Sequence, residues 1–135
     1  MEYKEFLTRS KQATQLVQSG RLKEAIVSLY KLYLSDISDI DKINMCISLA
    51  SVYDRIGNTE DAFSWYDKGI TIEENYYRFE VSEKKAQYLS QLGHSQEAIP
   101  IYESLIKQPF ISEADKDRMR KIIQSLLGQA MREWK

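Results

Sequence analysis

The side chains best suited to nucleophilic or metal chemistry are scarce: one cysteine, Cys46, and one histidine, His94. A Cys–His nucleophilic pair would have to be built from these two. Cys46 lies in the apolar run Met45-Cys46-Ile47, which reads as a buried helix face, and a free cysteine there behaves as a small hydrophobe. His94 follows Gly93 in an expected loop. Zinc takes two or more Cys or His ligands at short spacing, so this inventory argues against a zinc site. The five glycines are scattered singly, and none forms a GxGxxG or GxxxxGK[ST] cradle for a phosphate. Acidic neighbours exist (Asp36 and Asp39, Glu60-Asp61, Glu73-Glu74), but they fall at expected helix ends. The helix dipole stabilises acids such as Glu60 and Asp61 without any catalytic role. An enzyme would have to work through carboxylates that no pattern singles out. The sequence therefore reads as non-catalytic, with no cofactor and no metal.

What the residues do show is repetition. Gln18-Ser19-Gly20-Arg21-Leu22-Lys23-Glu24-Ala25-Ile26, Arg55-Ile56-Gly57-Asn58-Thr59-Glu60-Asp61-Ala62-Phe63 and Gln91-Leu92-Gly93-His94-Ser95-Gln96-Glu97-Ala98-Ile99 align without gaps. Each glycine is followed four residues on by an acid (Glu24, Asp61, Glu97), then by Ala25, Ala62 or Ala98. Nine residues past it stands Leu29, Tyr66 or Tyr102; seven before it stands Ala13, Ala50 or Ala86; four before it stands Leu16, Tyr53 or Leu89. Apolar residues recur at three- and four-residue steps on both sides of each glycine, the period of an amphipathic helix. The glycine ends the first helix, because it accepts the left-handed conformation that closes a helix C-terminus. Small alanines let the two helices of a unit approach, and a bulkier side chain there would cost roughly 1–3 kcal/mol by overpacking.

The pattern predicts seven helices, near 3–19, 22–35, 40–56, 59–72, 76–92, 95–108 and 112–134, with Thr59, Ser95 and Ser112 as N-caps. Pro109 fits a stop after the sixth. Pro100 fits poorly inside it, because proline removes a backbone bond, so that helix must start later or bend. The chain of 135 residues makes about one domain. A net charge of −1 argues against a nucleic-acid binder, which needs a basic excess. No apolar run approaches the roughly 18 residues of a membrane span, and no signal peptide is visible at Met1-Glu2-Tyr3-Lys4-Glu5. With a single cysteine, the expectation is a soluble cytoplasmic protein.

A helix–turn–helix unit carrying Gly-x-x-x-Glu-Ala-Ile resembles the tetratricopeptide repeat, whose period is about 34 residues. The resemblance covers roughly residues 6 to 110. It departs from the family where a Trp usually opens the first helix (here Arg9, Cys46 and Ser82) and in lacking a closing proline except near Pro109. The longer period places extra residues in the turns at Ser35 to Asp39 and Glu73 to Tyr77. The resemblance implies an all-α fold, a right-handed superhelix of antiparallel helix pairs of the α-solenoid type. A single domain, 1–135, would hold repeats at about 6–38, 43–75 and 79–111 and a capping helix at about 112–134. In that last helix Gly128 stands for Ala13, Ala50 and Ala86, and Met131 for Tyr53, while Arg118, Lys121, Arg132 and Glu133 would supply a polar outer face.

The resemblance further implies a non-catalytic adaptor that binds a protein or peptide in a concave groove lined by the first helix of each repeat. The groove positions would be Leu7, Ser10, Thr14 and Val17, then Asn44, Ile47, Ser51 and Asp54, then Glu80, Glu83, Gln87 and Ser90. Ile122, Ser125, Gln129 and Arg132 would follow on the last helix, and Leu7, Val17 and Ile47 would give an apolar anchor. The carboxylate clamp for chaperone C-termini is argued against: its positions fall on Ser10, Thr14, Ser48, Glu80 and Lys84, and Glu80 would repel the ligand. The alternative is self-association, as a homodimer, through the C-terminal helix and Trp134. Of the nine tyrosines, Tyr53, Tyr66 and Tyr102 are assigned to repeat packing; Tyr30, Tyr33, Tyr76, Tyr77 and Tyr88 are not all needed there.

Overall fold

The computed structural model describes residues 1–134, which form seven α-helices and one short 3₁₀ helix. The α-helices are α1 (Tyr3–Gln18), α2 (Leu22–Tyr33), α3 (Asp39–Arg55), α4 (Thr59–Glu73), α5 (Glu80–Gln91), α6 (Ser95–Ile106) and α7 (Glu113–Glu133). The chain divides into two compact units, Met1–Tyr76 with α1–α4 and a second unit beginning at Tyr77 with α5–α7.

The repeated glycine works as its spacing predicts. Gly20, Gly57 and Gly93 sit at φ of 79°, 82° and 83°, the left-handed region in which a β-carbon is strained. The residue after each donates back across the turn to the carbonyl five before it. These bonds are Arg21 to Leu16 at 2.9 Å, Asn58 to Tyr53 at 2.9 Å and His94 to Leu89 at 2.8 Å. Each glycine N–H bonds three residues back, completing a double closure of the helix end. The six alanines flanking these turns, Ala13, Ala25, Ala50, Ala62, Ala86 and Ala98, are all 0% exposed, as close helix crossings require.

In the first unit, α3 contributes the largest share of the core through Ile43, Met45, Cys46, Leu49, Ala50 and Val52. Beside it, Trp65 of α4 receives Tyr33 and Tyr30 of α2 edge-on, at centroid distances of 5.0 and 5.8 Å. Lys68 lies 4.7 Å above the Trp65 ring and Lys42 lies 5.5 Å above Tyr33. Such cation–aromatic contacts add of order 0.5–1 kcal/mol each when exposed. In the second unit the core is Val81, Ala86, Tyr88 and Leu89 of α5, Ala98, Ile99, Tyr102 and Leu105 of α6, and Met119, Leu126 and Ala130 of α7.

Three details differ from the periodicity. The fifth helix starts at Glu80 rather than near 76, because Glu74–Tyr76 form a 3₁₀ turn and Tyr77 takes φ 55°, which no α-helix accommodates. Asn58 and His94, not Thr59 and Ser95, hold the N-cap positions; Asn58 accepts from the Asp61 N–H at 3.1 Å, and Ser112 caps α7 in the same way through Asp115. The helix containing Pro100 neither starts late nor stops: α6 runs from Ser95 to Ile106 with the proline exposed.

Candidate functional site

The residues expected to line a groove separate into a free set and a set consumed by the fold. In the first unit, Leu7 and Thr14 of α1 and Asn44, Ser51 and Asp54 of α3 are exposed, whereas Ser10, Val17 and Ile47 are half-buried. Arg55 at the end of α3 donates to the Val17 carbonyl at 3.4 Å, so the C-terminal ends of α1 and α3 lie side by side. The Thr14 hydroxyl donates to the Ser10 carbonyl at 3.1 Å and keeps only its acceptor side for a ligand. Leu7 and Val17 are ten residues apart, about 15 Å along α1. They therefore do not form one apolar anchor.

In the second unit the start of α5 borders a cleft of about 450 Å³ lined by Tyr77, Arg78, Phe79, Glu80, Glu83, Lys84 and Gln87. The left-handed turn at Tyr77 sets its ring against Phe110 at 5.8 Å, which fixes the aromatic wall. Glu80 and Gln87 are exposed and Lys84 is half-buried. Arg78 and Lys84 bring positive charge, Glu80 brings negative charge, and Gln87 offers amide hydrogen bonds.

Glu83 is a correction to the groove set. It is only 8% exposed, and the Arg118 guanidinium grips both of its carboxylate oxygens, with Nη2 at 2.9 Å from Oε1. The Tyr102 hydroxyl donates to Glu83 Oε2 at 3.2 Å. Burial, then the charge of Glu83 and the hydrogen bond to it, push the Tyr102 hydroxyl well above its usual range, with Arg118 and Gln87 opposing. The hydrogen bond to Glu83 holds the Arg118 charge more firmly still. Ser90 is likewise engaged: its hydroxyl donates to Gln129 Oε1 at 3.0 Å. Ser95 donates to Gln129 Oε1 at 3.2 Å and to Glu133 at 2.9 Å from its backbone and 2.8 Å from its hydroxyl. Arg118 and Glu133 thus fasten α7 to α5 and α6 although both keep solvent exposure, and Lys121 and Arg132 are exposed as well. Ser125 is exposed, Ile122 half-buried, and Trp134 stands 84% exposed.

The sequence pattern places Tyr77 at the end of an inter-repeat turn and among the tyrosines not needed for packing, but it misses Arg78 and Phe79, which fall inside the expected fifth helix although three aromatics around a cation mark a surface turn. Tyr76 is also accounted for, since its hydroxyl donates to Asp39 at the start of α3, a bond that raises the pKa of the phenol. Cys46 is fully buried and burial pushes its thiol up to about 11, against the nearby Lys68 and Lys42, so it is inert. Among the described residues no group of three or more His, Cys, Asp or Glu side chains converges as a metal site, and no helix is long and apolar enough to cross a membrane.

Residues 43–76 match the family model of the tetratricopeptide repeat, and the all-helical architecture is consistent with repeats of that type. Neither the curated proteins nor the solved structures yield a significant match.

Proposed function

We propose that this chain is a non-catalytic adaptor acting in the cytoplasm, a reading supported by the match of residues 43–76 to the tetratricopeptide repeat, a unit generally used for protein–protein interaction. It holds a peptide or partner segment on the exposed faces of α1, α3 and α5. We read three repeats, at about 6–38, 43–75 and 79–111, with a capping helix at about 112–134. The observation that carries this reading is the cleft beside α5, where Glu80 and Gln87 stand at groove positions, with Lys84 beside them, next to an aromatic wall. On the first unit, considered by itself, Leu7, Thr14, Asn44, Ser51 and Asp54 are each exposed. Such a surface makes many modest hydrogen bonds rather than one strong ionic clamp, so affinity comes from length of contact and from one or two aromatic anchors.

The test compares partners captured from native lysate by the wild type and by a Ser51→Arg/Gln87→Arg double variant, identified by mass spectrometry. Both positions are exposed, so the helical circular dichroism of the variant is expected to be unchanged. A partner lost by the variant supports the reading. The same partners on both proteins would overturn it.

A further inference from the structure

Glu80 and Glu83 stand three residues apart on one face of α5, and both line the cleft beside it. Two carboxylates at that spacing would receive a cation, such as the side chain of a partner's lysine or arginine. The fold fills that place with its own guanidinium. Arg118 of α7 grips both oxygens of Glu83, with Nη2 at 2.9 Å from Oε1, and does not itself line the cleft. The Tyr102 hydroxyl of α6 adds a bond to Glu83 Oε2 at 3.2 Å. Asp115 draws on the same guanidinium more weakly, at 3.5 Å and from the same helix.

The charged residues lining the cleft are Arg78, Glu80, Glu83 and Lys84, two of each sign. Counted alone they balance. With Glu83 neutralised by Arg118, the cations Arg78 and Lys84 face a single remaining carboxylate, Glu80. We propose that Arg118 is a positioning residue for this cleft: by holding Glu83 it denies the site to a cationic side chain and leaves Arg78 and Lys84 to set the charge a partner meets. Specificity then comes from an excluded ligand as much as from an attractive contact. α7 thus shapes a ligand site that none of its residues lines. The inference rests on the α5 cleft being a ligand site, and it adds which charge that site refuses.

Two nitroxides alike except for charge, aminomethyl-proxyl as the cation and carboxy-proxyl as the anion, serve as probes. Each is added to isotope-labelled protein at low ionic strength, and the paramagnetic relaxation enhancement is read by NMR at the amide protons of Glu80, Lys84 and Gln87. The ratio of cationic to anionic enhancement is expected to rise about twofold in Arg118→Ala, because one uncompensated carboxylate near the probe acts oppositely on the two. Arg118→Lys keeps the cation and should return most of the wild-type ratio, and Glu83→Gln/Arg118→Ala, which removes both charges, should restore it. Lys121→Ala removes an exposed cation of α7 that does not hold Glu83, and should leave the ratio unchanged. An unchanged ratio in Arg118→Ala, an equal rise in Lys121→Ala, or a ratio that stays high in Glu83→Gln/Arg118→Ala would each overturn the proposal. Should Arg118→Ala lose its helical circular dichroism, Glu83→Gln carries the test: it is expected to lower the ratio about twofold, and no change there would overturn the proposal. No partner is needed, so the proposal stands or falls separately from the adaptor reading, which is decided by what Ser51→Arg/Gln87→Arg loses from lysate.

Discussion

α3 of the first unit and α5 of the second occupy the same place relative to their turn glycines, yet they are held by different forces. α3 buries Ile43, Met45, Cys46, Leu49, Ala50 and Val52, an almost wholly apolar set. α5 puts Glu83 where α3 has Ile47, and that carboxylate is satisfied by Arg118 of α7 and Tyr102 of α6. Ser90 stands where α3 has Asp54, and it too is engaged, with Gln129. One repeat pattern therefore yields two outcomes. Where the helix itself buries only apolar residues, as α3 does, the polar residues of its outer face stay exposed. Where a buried carboxylate needs satisfying, as on α5, the neighbouring helix supplies polar groups and the candidate ligand positions are spent internally. A charge buried without a partner is far costlier than a lost surface contact, so the fold takes precedence over the ligand.

The contrast can be broken first at its apolar side. Leu49→Ala, at a site 0% exposed, is expected to cost roughly 2–5 kcal/mol in chemical denaturation, because the transfer and cavity terms add. A loss below about 1 kcal/mol would mean that α3 does not carry the core. The next effect is alkaline. Burial holds the Cys46 thiol at about 11 in the native state against 9.0 ordinarily, so the native state favours the neutral thiol. The stability this provides is complete below pH 9 and is lost as pH rises to about 11, by at most about 3 kcal/mol. Denaturation of the wild type and Cys46→Ala across that window should show a shallower decline in the variant.

On the polar side, Arg118→Ala leaves Glu83 buried without its cation. The expected loss is about 2 kcal/mol, at the low end for a broken buried pair because the Arg118 side chain is 44% exposed. A Glu83→Ala/Arg118→Ala cycle should return a coupling of about 1 kcal/mol or more; strict additivity would remove the fastening role. The smallest effect is at Tyr77, where φ 55° strains any residue with a β-carbon. Tyr77→Gly is expected to gain about 0.5 kcal/mol or less, the relief of left-handed strain set against the entropy of glycine and the lost Phe110 contact. A clear loss would show that the aromatic contact outweighs the strain.

The repeat, the turn glycines, the crossing alanines and the helix order were legible because each follows from a local rule. A helix-closing left-handed turn favours glycine, and a close crossing favours a small side chain. The groove set was only partly legible. Thr14, Asn44, Ser51, Asp54 and Gln87 are as exposed as their spacing implies, but spacing alone could not separate Glu83 and Ser90 from them. Their partners, Arg118 and Gln129, lie 35 and 39 residues away, and no local period connects them.

What the sequence by itself determined was thus the alternation of helix and turn, since period and backbone conformation are properties of short segments. Which polar side chains stay free was decided only by the tertiary structure. A side chain's freedom depends on the hydrogen-bonding groups and charges that distant helices bring to it, and on α5 those partners come from α6 and α7.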